Sequence, residues 1–218
     1  MVVPPGERPG ARLLGAVLAG GEGRRFGGPK AGALVGGLPM VRRAVEAMAA
    51  VTDDVVVVSS APVPDAGVPV VADRSPGRGP LGGLEAALHE ASARGCEGVL
   101  LLACDLPLVR PSLLEAVAGA LGGSPAVAPR REGGGIEPLC AAYALEVLDA
   151  VVRRLSCSDL SLHALFREVG GNVLGAELPE GGHDALLNVN TPEDRRTAEA
   201  RLREREIRKG RQEPAPGA

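Results

Sequence analysis

Residues 13–30 read LLGAVLAGGEGRRFGGPK: a short apolar run, 13–19, opening into a loop of five glycines, two adjacent arginines and one lysine. The run is too short and too interrupted by glycine to span a membrane, and its length suits a strand covered on both faces. The loop has so little side-chain bulk that its backbone N–H groups can turn inward around something small. With Arg24, Arg25 and Lys30 in the same loop, that something is an anion, and a Gly-rich turn after a first strand is a common phosphate holder.

Two familiar phosphate loops do not fit. A P-loop would start at Gly23, but Pro29 separates Gly28 from Lys30, and Ala31 lacks the hydroxyl that binds magnesium. The dinucleotide pattern starts at Gly21 and Gly23 and fails at Phe26. Lysine is otherwise scarce here: of 24 Lys and Arg residues, only Lys30 and Lys209 are lysine. A compact ammonium suits a phosphate oxygen in a tight loop better than a planar guanidinium does.

The chain has 218 residues, enough for one full α/β domain and short for two. Phe26, Phe166 and Tyr143 are its only aromatic residues, which argues against stacking platforms for single-stranded nucleic acid. A net charge of −3 argues against a broad basic surface for DNA or RNA. Cys96, Cys104, Cys140 and Cys157 show neither metal-ligand spacing nor clustering with histidine, the pattern of reduced thiols in a cytoplasmic protein.

Strand and helix patterns alternate along most of the length. Strands are expected at 13–19, 55–58, 68–72, 99–104, 126–128 and 172–178, with helices between them, including one over 84–93 after the Gly/Pro-rich turn 75–83. A polar hairpin-like loop, 130–135, leads back to the apolar run 139–143. This is an α/β, Rossmann-like single domain: a mostly parallel twisted sheet with helices on both faces. Residues 1–11 are expected to be a flexible lead-in, 12–206 the domain and 207–218 a disordered charged tail. In such sheets ligands gather at the carboxyl ends of strands. The glycine loop, Ser59-Ser60, Asp73 and Asp105 all follow strands, so they outline a site on one edge.

Asp105 ends the greasiest strand. A bare carboxylate about 4 Å from a phosphate oxygen is repelled by roughly 1–4 kcal/mol, so an acid placed there calls for a bridging hard cation such as Mg²⁺. Asp73 is either a second carboxylate or a partner for a sugar hydroxyl; spacing leaves both open. No nucleophile–base pair stands out, and His89, His163 and His183 lack evident partners. That is compatible with phosphoryl or nucleotidyl transfer, where positioning and charge neutralisation supply most of the rate.

Leu18-Ala19-Gly20-Gly21 followed by Arg24-Arg25-Phe26-Gly27-Gly28 and Lys30 resembles the signature of the sugar-nucleotidyltransferase-like NTP transferases, and within them the molybdenum cofactor guanylyltransferases. The strand end at Asp73, Gly79-Pro80-Leu81-Gly82-Gly83, Cys104-Asp105-Leu106-Pro107, Glu137-Pro138-Leu139-Cys140-Ala141-Ala142-Tyr143 and Asn188-Val189-Asn190-Thr191-Pro192 follow in the same order. The resemblance implies a nucleotide-diphospho-sugar transferase-like fold and transfer of GMP from GTP to the terminal phosphate of molybdopterin. It implies that Leu18, Ala19, Gly20, Gly21, Asp73, Gly79 and Pro80 bind the nucleotide. Lys30 and Arg25 would neutralise the phosphates, Asp105 would hold Mg²⁺, and Asn188 and Asn190 would lie on the acceptor side. Molybdenum-insertion proteins and apo-molybdoenzymes are the partners it implies.

After the second strand the family often shows an asparagine where this chain has Val58, Ser59 and Ser60, so GTP and CTP stay open as donors. A guanylyltransferase for another small phosphate and a non-catalytic nucleotide-binding protein are the alternatives. For Asn188 and Asn190 the competing expectation is a turn capping the last helix, with Thr191 as N-cap.

Overall fold

The computed structural model describes residues 11–20, 30–175, 178–179 and 182–212. At its centre lie the neighbouring strands β1 (Leu13–Leu18) and β6 (Gly98–Ala103), every residue of both buried. They pair in parallel from Leu13↔Gly98 to Leu18↔Ala103. Between them in sequence come a hairpin of two-residue strands, β2 (Leu34–Val35) and β3 (Leu38–Pro39), helix α1 (Met40–Ala49), strands β4 (Val55–Ser59) and β5 (Val70–Ala72), and helix α2 (Gly79–Ala93). After β6 come α3 (Pro111–Gly119), β7 (Ala126–Pro129), β8 (Cys140–Ala144), α4 (Leu148–Leu155), α5 (Leu162–Glu168), β9 (Asn172–Leu174), α6 (Gly182–Ala185) and α7 (Pro192–Gln212).

The main sheet has seven strands in the order β5-β4-β1-β6-β8-β7-β9. All are parallel except β8, which runs against both neighbours. Side chains alternate between two cores, as the period of two demands. Val17, Leu100 and Leu102 join Val41, Met48, Leu113 and Val117 on the face of α1 and α3. Leu14, Ala16 and Leu101 join Leu84, Leu88, Val151 and Leu165 on the face of α2, α4 and α5. Apolar burial on two faces is why the central strands read as continuous runs rather than alternating ones.

Three expectations need correcting. Helix α2 begins at Gly79, not at 84, because the Gly/Pro-rich stretch forms its first turn: Pro80 sits where a missing N–H costs nothing, and Gly82 and Gly83 are buried. The β2–β3 hairpin was not foreseen; its strands are too short for any period, and Gly36 and Gly37 turn it at φ +57° and +78°. Finally, α7 runs through Gln212, so 207–212 continue a helix that the sequence reading ended at 206. No proline occurs between Pro192 and Pro214, and Arg205 Nη1 ties the helix to the Leu108 carbonyl at 2.9 Å. A third, smaller core of Val35, Met40, Leu108, Val189 and Ala198 seats the same helix on the body.

Candidate active site

Because β5, β4, β1 and β6 are parallel, their carboxyl ends share one edge, and backbone hydrogen bonds continue along it past the strands. Ala19 N donates to Val58 O at 3.0 Å, Cys104 N to Leu18 O at 3.0 Å, and Asp73 N to Ser59 O at 3.2 Å. Leu18, Ala19, Asp73 and Asp105 are thereby fixed on a common rim. Gly20 follows Ala19, and a side chain there would meet nothing within 4 Å. Gly21 and Arg25, like Arg24, lie outside the described residues.

Lys30 heads a single 3-10 turn, Lys30–Gly32. Its ammonium donates to Asp105 Oδ2 at 2.7 Å and to Asn190 Oδ1 at 2.5 Å. Residues 75 and 160 positions away in sequence thus converge on one nitrogen. Val189 N donates to Asp105 O at 2.8 Å, which pins the Asn-Val-Asn segment to the exit of β6. Asn188 therefore lies beside the same exit, and its side chain has no partner among the described residues. Asp105 Oδ1 is buried and accepts no hydrogen bond among the described residues. A buried carboxylate oxygen with nothing to accept from is costly, and a cation would relieve it.

The donor set suits magnesium. No group of three or more His, Cys, Asp or Glu side chains converges among the described residues, and Mg²⁺ does not need one: it takes one or two carboxylates and completes its shell with water and substrate phosphates. Asp105 Oδ1 and the amide oxygen of Asn190 are hard oxygen donors of the right kind.

At the β5 end, Asp73 Oδ1 accepts from Ser75 N at 2.9 Å, so one carboxylate oxygen shapes the turn and the other has no partner among the described residues. Helix α2 starts just beyond. A Cβ on Gly82 would lie 2.7 Å from Ser75 O and 3.0 Å from Asp73 Oδ1, and one on Gly83 would lie 2.9 Å from Leu18 Cδ2. These two buried positions hold glycine so that the start of α2 can pack against Leu18 of β1 and the Asp73–Ser75 turn after β5, while Gly79 and Pro80 stay exposed at its tip. Ser75 Oγ donates to Glu85 Oε2 at 2.7 Å and braces that turn; the sequence reading did not single out either residue.

Glu137 lies just ahead of β8, in the run 137–143. It is 2% exposed. Its carboxylate accepts from Leu139 N at 3.2 Å and from Arg131 Nη1. Burial pushes its carboxyl above the usual range, and the Arg131 charge opposes that shift. Nearby thiols are inert: burial, helped by the Asp105 charge, drives Cys104 up to about 12.

The last helix is capped as Thr191 suggested. Thr191 Oγ1 accepts from Asp194 N at 3.1 Å, and Asp194 Oδ2 accepts from Asn190 N at 2.9 Å and Thr191 N at 2.8 Å. This is a reciprocal capping box. Of Asn190 it uses only the backbone N–H, and of Asn188 nothing, which leaves both asparagine side chains for the site.

The fold and the rim define a nucleotidyltransferase. The chain belongs to the MobA-like NTP transferase domain family, whose profile matches residues 15–171. It is 32% identical over 196 residues to a molybdenum cofactor guanylyltransferase of Cereibacter sphaeroides, covering 88% of this chain and 98% of that one. It is 30% identical over 197 residues to a protein of the same name from Desulfosudis oleivorans, covering 88% and 96%. The fold is also that of molybdopterin-guanine dinucleotide biosynthesis protein A from Archaeoglobus fulgidus, with a TM-score of 0.74, 24% identity, and coverage of 88% of this chain and all of that one. Among the described residues, no helix is long and apolar enough to cross a membrane.

Proposed function

We propose that this chain transfers GMP from GTP to the terminal phosphate of molybdopterin, giving the guanine dinucleotide cofactor and pyrophosphate. The observation that carries the reading is the convergence of Lys30, Asp105 and Asn190 on one rim, in a chain whose relatives of that name match over nearly their whole length. In the reaction an oxygen of the acceptor phosphate bonds to the α-phosphorus of GTP, and the bond from that phosphorus to the β-bridging oxygen breaks. Pyrophosphate carries away the electron pair.

The protein's share is placement and charge. A phosphate monoester of about −1.5 to −2 charge must approach a polyanion. The Lys30 ammonium, held by Asp105 and Asn190, offers a fixed positive charge at that meeting point. A bound Mg²⁺ would supply further charge neutralisation between phosphate oxygens, with Asp105 and Asn190 as its protein ligands. Leu18, Ala19 and Gly20 present backbone groups to the nucleotide, while Asp73 directs its unpartnered oxygen at it and α2 closes the wall through Gly79 and Pro80. Asn188 faces the acceptor. The reading implies a cytoplasmic enzyme acting on molybdopterin or Mo-molybdopterin, with molybdenum-insertion proteins and apo-molybdoenzymes as its partners.

The test is pyrophosphate release by the purified protein with GTP, CTP or ATP, each with and without molybdopterin and Mg²⁺. Release that needs GTP, molybdopterin and Mg²⁺ together is expected. Equal release with CTP would overturn the choice of base, and no release with any nucleotide would overturn the reaction.

A further inference from the structure

The β7–β8 connection carries a charged pair that the reaction described above leaves unused. Antiparallel pairing runs to Leu102↔Cys140, and Ala103 N still donates to Leu139 O at 2.8 Å. Both chains then turn, which leaves Glu137 at the same edge of the sheet as Asp105 and close enough for the Asp105 charge to act on its carboxyl. The backbone around it is held on three sides: Glu137 N donates to Pro129 O at 2.9 Å, Cys140 N to Glu137 O at 3.1 Å, and the buried Tyr143 hydroxyl to Pro138 O at 2.8 Å. Glu137 is thus a rigid, buried carboxylate next to the reaction centre.

Its charge partner is not buried. Arg131 gives one nitrogen to Glu137, its side chain is 38% exposed, and its other guanidinium nitrogens have no partner among the described residues. Gly133, Gly134 and Gly135 all turn at positive φ, and Gly134 N and Arg131 N close the loop onto Arg131 O and Gly135 O. The loop therefore folds back over its own base and keeps side-chain bulk away from the guanidinium. Burying a carboxylate to hold a partly exposed arginine costs stability that an apolar pair would not, whereas a guanidinium fixed at one end presents a fork matched to phosphate at the other.

The position selects the ligand. Asp73, Leu18 and α2 occupy the rim on the β5-β4-β1 side of Asp105, and the β8-β7 end lies on the opposite side. Resting on the function proposed above, we infer that Arg131 binds the phosphate of the acceptor, and that Glu137 is the positioning residue that aims it. Lys30 and Arg131 then flank the acceptor phosphate with two positive charges.

The experiment compares wild type with Arg131→Ala, Arg131→Lys and Glu137→Gln in steady-state assays with GTP and molybdopterin, using circular dichroism to check folding. The expected result is a KM for molybdopterin raised at least tenfold in Arg131→Ala, with the KM for GTP within twofold of wild type. Arg131→Lys, with charge but no fork, should fall between, and Glu137→Gln should shift the same KM in the same direction. An active wild type whose molybdopterin KM is unchanged in Arg131→Ala overturns this inference alone. A rise in both KM values overturns it too, because it would make Arg131 a scaffold residue. A wild type that makes no product from GTP and molybdopterin overturns it together with the functional reading.

Discussion

The Lys30 ammonium lies 2.7 Å from Asp105 Oδ2 although 75 residues separate them in sequence. Neither side chain is fully solvated, at 13% and 21% exposure. Removing one partner therefore leaves the other charge uncompensated. Asp105→Asn should lower turnover by about two to three orders of magnitude, as loss of a group acting on the reacting charge does, while the circular dichroism spectrum stays native. Lys30→Ala should raise the KM for GTP and lower kcat together. Near-wild-type kcat in Asp105→Asn at saturating Mg²⁺ would remove the metal from that residue.

Gly82 tests the nucleotide wall. Its missing Cβ would press on Ser75 O and Asp73 Oδ1, and overpacking of this kind costs about 1–3 kcal/mol. Gly82→Ala should weaken GTP binding more than molybdopterin binding, because the displaced groups belong to the β5 end. Equal weakening of both ligands, read by calorimetry, would mean that the turn serves the fold and not the nucleotide.

The capping box has a pH signature. Hydrogen bonds from Asn190 N and Thr191 hold the Asp194 carboxyl below its usual 3.8. A depressed carboxyl contributes stability that is present above its unfolded value and lost as pH falls through the folded one. Asp194→Ala should therefore be less stable than wild type at pH 7, and the gap should close below pH 3.8. Thr191→Ala should cost about 1 kcal/mol in urea unfolding at pH 7. A gap that widens on acidification would contradict the box.

Thiol chemistry gives an independent check on burial. Cys96, Cys104 and Cys140 are buried, Cys157 is exposed, and all four are free. Desolvation raises the first three thiols, most strongly at Cys104 and Cys140. Thiolates react and thiols do not, so a disulfide reagent should modify one residue per native chain and four after denaturation. Fast modification of two or more in the native protein would show a core looser than described.

The sheet was legible because two-faced burial writes itself into sequence as apolar runs, and β1, β4 and β6 are such runs. The rim followed from topology, since parallel strands deliver their carboxyl ends to one side. Lys30 and Asp105 could be named from their place after strands; that one ammonium joins Asp105 to Asn190 could not, because the contact is made by chain segments whose packing no local pattern encodes. Gly82 and Gly83 read as loop residues for the same reason: glycine signals a turn unless the neighbour it makes room for is known. Glu137 stood in a quoted motif, but its pairing with Arg131 was not legible, since charged residues flanking a glycine run look like ordinary solvent-facing loop. Gly21, Arg24 and Arg25 lie outside the described residues.

One strand, β8, runs against the grain of the sheet, and this separates two tasks. Strands that feed crossover helices cannot change length at their tips without shifting a helix. A reversed strand is joined to β7 by the connection 130–139, which lies at the same edge as the end of β6 and carries no helix. Under the function proposed above, acceptor choice on that flank would be free to drift by loop exchange, while the α2 side is locked to the architecture. Grafts between relatives at 131–135 should retune which acceptor is used and leave the donor pocket intact.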